Sequence, residues 1–200
     1  MWHKLAVNPS TAYNGYVAIF HSKGHLSMDE QTHHNGRLYR IRPLEQNDRN
    51  WVAHFLDQHW GSTKIVSRGQ VHYAHLLPGL AVEHNDAPAD APPIGLATYT
   101  IDKRVCEIVT FDAVEKGVGV GTLLLEGVKA IARENDCRMI WLITTNDNMQ
   151  ALRFYQKRGF ELVAVYPNAL ADARKLKPQI PLIGLDGIPL RDEIELKLTL

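Results

Sequence analysis

Lys116-Gly117-Val118-Gly119-Val120-Gly121-Thr122 combines residue types and spacing that can hold a ligand by its backbone alone. Three glycines at alternate positions permit close approach and dihedrals closed to other residues. Val120, Leu123, Leu124, Val128, Ile131 and Ala132 then repeat at helical spacing, so the glycines open a helix that runs to about Asn135. Amides at such a helix start converge on one point, with the positive end of the macrodipole behind them, which suits a phosphate or pyrophosphate. A dinucleotide fingerprint fails by residue, because Thr122 and Leu124 stand where a third glycine is needed. A Walker loop fails as well, since no Gly-Lys-Ser/Thr closes the run. A glycine-rich helix start that binds nothing would have the same sequence.

A second motif lies downstream, Asn148-Met149-Gln150-Ala151-Leu152-Arg153-Phe154-Tyr155-Gln156-Lys157-Arg158-Gly159-Phe160. With it, the chain resembles the GNAT superfamily of acyl-CoA N-acyltransferases. Lys116-x-x-Gly119-x-Gly121 is similar to that family's Gln/Arg-x-x-Gly-x-Gly/Ala pyrophosphate loop. The later run is similar to its Asn-x-x-Ala-x-x-Phe-Tyr-x-Lys-x-Gly-Phe signature. The resemblance covers roughly Leu38 to Leu200 and is strongest from Val105 to Phe160. Two departures stand out. Lys116 keeps a donor near the phosphates but lacks the fork of Arg, and the connection Asp112-Ala113-Val114-Glu115 is short.

The resemblance implies an α+β fold with a central, mixed, mostly antiparallel sheet packed by helices on both faces. The strands from Val105 and from Met139 splay apart at their ends, and pantetheine lies in the notch against the backbone of Ile108, Val109 and Thr110. The pyrophosphate then sits on the amides of Gly117, Val118, Gly119, Val120, Gly121 and Thr122, with Lys116 alongside. The implied reaction is acetyl transfer from acetyl-CoA to a primary amine of a small molecule or peptide, by direct attack in a ternary complex. An ammonium of unperturbed pKa ~10.4 must first lose a proton. Glu107 is the candidate base: it interrupts an apolar strand, shares a face with Val109 and Phe111, and falls where many members carry a glutamate. It could instead face outward, paired with Lys103 or Arg104. Tyr155 stands in the general-acid position, and a phenol of pKa about 10 suits protonation of a leaving thiolate; it could equally be a core aromatic. Asn148 can bond pantetheine amides or serve the helix start. An oxyanion hole would come from the N–H of Ile108 or Val109, with Val109 preferred.

Ordinary elements must position these residues. Leu38 to Arg42 alternates and ends at Pro43, a strand. Trp51, Val52, Phe55, Leu56 and Trp60 recur as on a helix that Gly61 can stop. The stretch to Leu77 has no clear period. Leu80–His84 and Ile94–Ile101 flank an Asp- and Pro-rich connection and read as a hairpin, with another strand from Val105 to Phe111. Met139 to Ile143 is apolar on both faces, which places it mid-sheet. Asn146 is a plausible N-cap for a helix from about Asp147 to Arg158, before Gly159. Phe160 to Tyr166 reads as a strand. The excursion from Pro167 to Pro189, with a short helix at 169–175, is the expected acceptor-side wall, and Asp186 and Arg191 are its charged candidates. Ile194, Leu196, Leu198 and Leu200 alternate in a final strand. Residues 1–36, with one short apolar run at Tyr16–Phe20, read as a peripheral or partly disordered extension to a domain at 37–200.

The 200 residues carry 22 acidic and 22 basic side chains. That balance offers no cationic surface for nucleic acid or for an anionic membrane. No apolar run is long enough to span a bilayer. No secretory leader is legible and Cys106 and Cys137 sit in apolar stretches, which suggests a cytoplasmic address. All ten histidines lie at or before His84 without a zinc-like spacing, so no metal is expected; His72 remains an alternative base. A homodimer is possible, since Leu-rich final strands often pair between subunits in this family. The competing readings are a catalytically idle acyl-CoA-binding or protein-interaction module on the same fold, and an acyltransferase for longer acyl-CoAs with a roomier notch around Ile108 and Trp141.

Overall fold

The computed structural model describes residues 30–34, 37–88 and 91–200. The short strand expected at Tyr16–Phe20 and most of the extension expected at 1–36 lie outside them. In chain order the elements are β1 (Glu30–His34), β2 (Arg37–Pro43), α1 (Arg49–Trp60), β3 (Lys64–Ser67), β4 (Gln70–Tyr73), β5 (Gly79–His84), β6 (Gly95–Asp102) and β7 (Val105–Ala113). There follow α2 (Val120–Glu134), β8 (Met139–Thr145), α3 (Met149–Gln156), β9 (Glu161–Tyr166), α4 (Ala169–Leu176) and β10 (Glu193–Thr199).

Eight strands form one sheet in the order β1-β2-β5-β6-β7-β8-β10-β9, and β3 with β4 makes a separate hairpin. Within the large sheet only β7 and β8 pair in parallel, because α2 carries the chain across from one to the other. The remaining neighbours run antiparallel. Met139–Ile143 is central, as its apolar character on both faces requires. β10 is flanked by β8 and β9, so the last strand has no open edge through which a second subunit could pair; among the described residues that edge belongs to β9.

Each sheet face is sealed by a different helix set. Val120, Leu124, Val128 and Ala132 of α2 pack on Leu80, Val82, Ile108 and Ile140, with Tyr155 and Phe160 in the same core. On the other face Val52, Phe55 and Leu56 of α1 pack with Ile65, Leu96 and Val109. The α1 helix ends as expected at Gly61, whose left-handed φ of 67° supplies the turn. The 103–104 turn between β6 and β7 uses Lys103 and Arg104 at φ 47° and 66°, a tight hairpin made without glycine.

One irregularity decides where side chains point. The β6–β7 ladder pairs Thr98 with Thr110 but Tyr99 with Ile108, so Val109 is an extra residue in β7. Glu107 and Val109 therefore share the α1 face, but Phe111 does not join them. It is turned to the α2 face, 5.7 Å by ring centroid from Tyr155. Strict alternation along Val105–Phe111 fails at this bulge.

Candidate active site

β7 and β8 pair from Val105↔Met139 to Ile108↔Leu142, where their ladder stops. Beyond that point the strands diverge, and a cavity of about 250 Å³ opens between them. Ile108 and Val109 line it from β7, Ile143, Thr144 and Thr145 from β8, and Asn148 from the start of α3. The Val109 bulge withdraws one residue from the β6 ladder at the mouth of this gap.

The glycine segment joins β7 to α2. Gly117 and Gly119 adopt φ of 78° and 96°, conformations that a side chain would strain, and Gly119 is the N-cap of α2. The N–H groups of Thr122 and Leu123 both return to the Gly119 carbonyl. Those of Val120 and Gly121 belong to the first turn, whose amides lack helical acceptors. Lys116 donates from Nζ to Gln150 Oε1 at 3.3 Å. Arg158, in the turn just past α3, donates to Thr122 Oγ1 at 2.7 Å and lies 3.7 Å over the Phe154 ring, so α2 and α3 are clamped side by side.

Asn148 caps α3: its Oδ1 accepts from Ala151 N at 3.0 Å. The cap is not Asn146, which has another task. Its Oδ1 accepts the N–H groups of Arg191 and Asp192, both at 2.9 Å, and its Nδ2 donates to the Pro189 carbonyl. Asp147 Oδ2 accepts from Leu185 N at 2.7 Å. The residues just before α3 thus pin the 167–189 excursion against the notch.

Glu107 does not face outward toward Lys103 or Arg104. Its carboxylate is buried, accepts from Ser67 Oγ at 2.9 Å, and lies 3.8 Å from His72 Nε2. Burial pushes its pKa up; the Ser67 hydrogen bond and the nearby imidazole act in the opposite direction. Tyr155 is enclosed by Phe111, Phe154 and Phe160, with centroids 5.1–5.7 Å away. That burial raises its phenol well above the usual value, and so keeps the proton on oxygen. Glu107 and Tyr155 approach from opposite faces of the sheet, which the gap between β7 and β8 interrupts.

Residues 38–160 match the acetyltransferase (GNAT) family. The chain belongs to that family. It is 40% identical over 154 residues to protein YxbD of Bacillus subtilis (strain 168), a match covering 77% of this chain and 94% of YxbD. Its fold is similar to that of an IAA acetyltransferase from Bacillus cereus ATCC 14579, at TM-score 0.59 and 18% identity, over 81% of this chain and 99% of that one. It is similar also to a GNAT family acetyltransferase from Elizabethkingia anophelis solved with acetyl-CoA bound, at TM-score 0.56 and 21% identity, over 81% and 98% of the two chains.

The remaining wall of this GNAT notch comes from residues that the sequence did not single out. Ser67, Lys177 and Glu193 line the cavity together with Trp60 and Leu170. Lys177 is buried and donates to the Trp60 carbonyl at 3.0 Å; its removal from water lowers its pKa. Glu193 is buried too, and burial raises its pKa against a counteracting hydrogen bond from the Arg68 backbone. Asp186 and Arg191, the charged candidates of the excursion, are not among the residues lining the cavity; Arg191 pairs with Asp192 at 2.8 Å. The short helix expected within the excursion is α4. The signal for Ser67 was present but faint: Ile65-Val66-Ser67-Arg68-Gly69 is a β-branched run before a glycine turn.

Proposed function

We propose that the protein is an acetyl-CoA-dependent N-acetyltransferase acting on a primary amine of a small molecule or peptide in a ternary complex. The observation that carries this reading is the parting of β7 and β8 after Ile108↔Leu142, beside a helix start made of glycines. Residues present fit the co-substrate. Strand edges from Ile108 to Thr110 would offer amides and carbonyls to a pantetheine arm, and the Val120 and Gly121 amides would hold a pyrophosphate. Bound acetyl-CoA supplies an activated thioester. Glu107 takes the acceptor's proton, directly or through water, and Tyr155 holds a proton for the departing sulfur. Val109, the residue without a partner in the β6 ladder, is our preferred source of an oxyanion-hole N–H. Asn148 lends the cavity its side-chain amide.

A second reading, an idle acyl-CoA-binding module, draws support from the tight aromatic enclosure of Tyr155. Calorimetric titration with acetyl-CoA and with desulfo-CoA, followed by amine-dependent release of free thiol, separates the two. Micromolar binding with turnover supports the enzyme; binding without turnover on a broad amine panel supports the module. Gly119→Val, which forces a β-branched residue to φ 96°, is expected to abolish CoA binding in a chain that still folds. Unchanged affinity would remove the loop from the site.

A further inference from the structure

The hairpin of β3 and β4 stands apart from the large sheet, yet its two inward polar side chains meet one carboxylate. Ser67, the last residue of β3, donates to Glu107 Oε1 at 2.9 Å. His72, on β4, brings Nε2 to 3.8 Å from the same oxygen. That nitrogen is buried and has no hydrogen-bond partner among the described residues. A buried imidazole nitrogen left unpaired beside a buried carboxylate costs stability unless the arrangement serves another purpose. The hairpin's outer residues do not explain it: Val71 and Tyr73 are exposed, so β4 is not held there by a large apolar contact of its own.

We propose that the β3–β4 hairpin is part of the catalytic apparatus, with Ser67 and His72 as positioning residues that hold the Glu107 carboxylate and balance its charge. The inference rests on the reading of Glu107 as the base. In the reaction, the acceptor's N–H bond breaks, an O–H bond forms on the Glu107 oxygen not held by Ser67, and the nitrogen lone pair is freed for attack. Ser67 fixes the rotamer of the carboxylate. The imidazole of His72, 3.8 Å away, favours the ionised carboxylate that must accept the proton, against the burial that disfavours it. The neighbouring strands place no charge opposite Glu107: Thr100 of β6 and Trp141 of β8 are its register partners. Cys106 adjoins it on β7 but points to the α2 face, Glu193 and Lys177 belong to the cavity wall, and the Arg68 guanidinium pairs with Glu195 at 2.8 Å.

The test follows the Glu107 carboxyl carbon by ¹³C NMR across pH in the full chain, assigned by its disappearance in Glu107→Gln. The titration midpoint is expected to rise by about one pH unit in His72→Gln and by less in Ser67→Ala, because each removes a contact that favours the ionised form. The acidic limb of the kcat/KM profile should move up by the same amounts. A midpoint that stays or falls overturns the proposal, whether or not any amine is acetylated. A midpoint that rises while the limb stays also overturns it, since the trio would then be structural. If the wild type turns over no amine, the enzyme reading fails, and the proposal fails with it even where the midpoint shift shows the contact to be real. Should His72→Gln fail to fold, Ser67→Ala gives the same comparison.

Discussion

Tyr155 and Glu107 pose opposite problems at the scale of single residues. A phenol packed among three phenylalanines keeps its proton but has little freedom to move. A carboxylate buried beside a serine and a histidine must remain ionised to be useful. Tyr155→Phe preserves the ring and its packing and removes only the hydroxyl, so it isolates proton donation from architecture. If Tyr155 is the acid, the substitution is expected to lower kcat by about 10²-fold or more while acetyl-CoA affinity holds. Steady-state kinetics with parallel calorimetry checks this, and an unchanged kcat would return Tyr155 to the core.

At the scale of elements, α1 and β7 are tied where Trp60 Nε1 donates to Asp112 Oδ2 at 2.8 Å. Burial lifts the Asp112 carboxyl to about 6 from an ordinary 3.8, against the opposing influences of Trp60 and His59. The folded state therefore holds this proton more tightly than the unfolded chain. Stability contributed by the protonated form is complete below about pH 4 and is lost as pH rises toward 6. Asp112→Asn keeps an acceptor for Trp60 and has no proton to lose. Its Tm relative to wild type is expected to rise between pH 4 and pH 7, by differential scanning calorimetry. A constant difference across that range would deny the buried titration.

The whole molecule is a sheet held open at its centre. A parted strand pair leaves edge backbone groups that a ligand can satisfy, so ligand binding and folding stability are linked. Acetyl-CoA at 100 times its Kd is expected to add about 2.7 kcal/mol, which for 200 residues raises Tm by roughly 5–10 °C. Desulfo-CoA should act nearly as well, because the expected contacts are to phosphate and pantetheine. No shift with either ligand would mean that the notch is architecture only. The excursion completes this frame. Lys64 and Lys177 reach across to carbonyls of Leu176 and Trp60, and Arg174 gathers those of Ile180, Pro181 and Leu190.

The sequence by itself determined the elements whose patterns are local. The alternate glycines, the apolar faces of α2, the both-sided apolarity of Met139–Ile143 and the stop at Gly61 each need only a few neighbouring residues to be read. It also determined the family, because two motifs in fixed order carry backbone requirements that few other arrangements share. The tertiary structure decided what depends on contact between distant segments. The extra residue at Val109 is invisible in a strand of β-branched and aromatic residues, yet it turns Phe111 to the opposite face from Glu107. Asn146 and Asn148 are equally good caps by type, and only the excursion's return to Pro189 and Arg191 gives the first a different partner. Ser67 and His72 reach Glu107 from a hairpin some forty positions earlier in the chain. Contacts over that separation leave no periodic trace, because they are fixed by how the layers pack and not by how the chain is spelled locally.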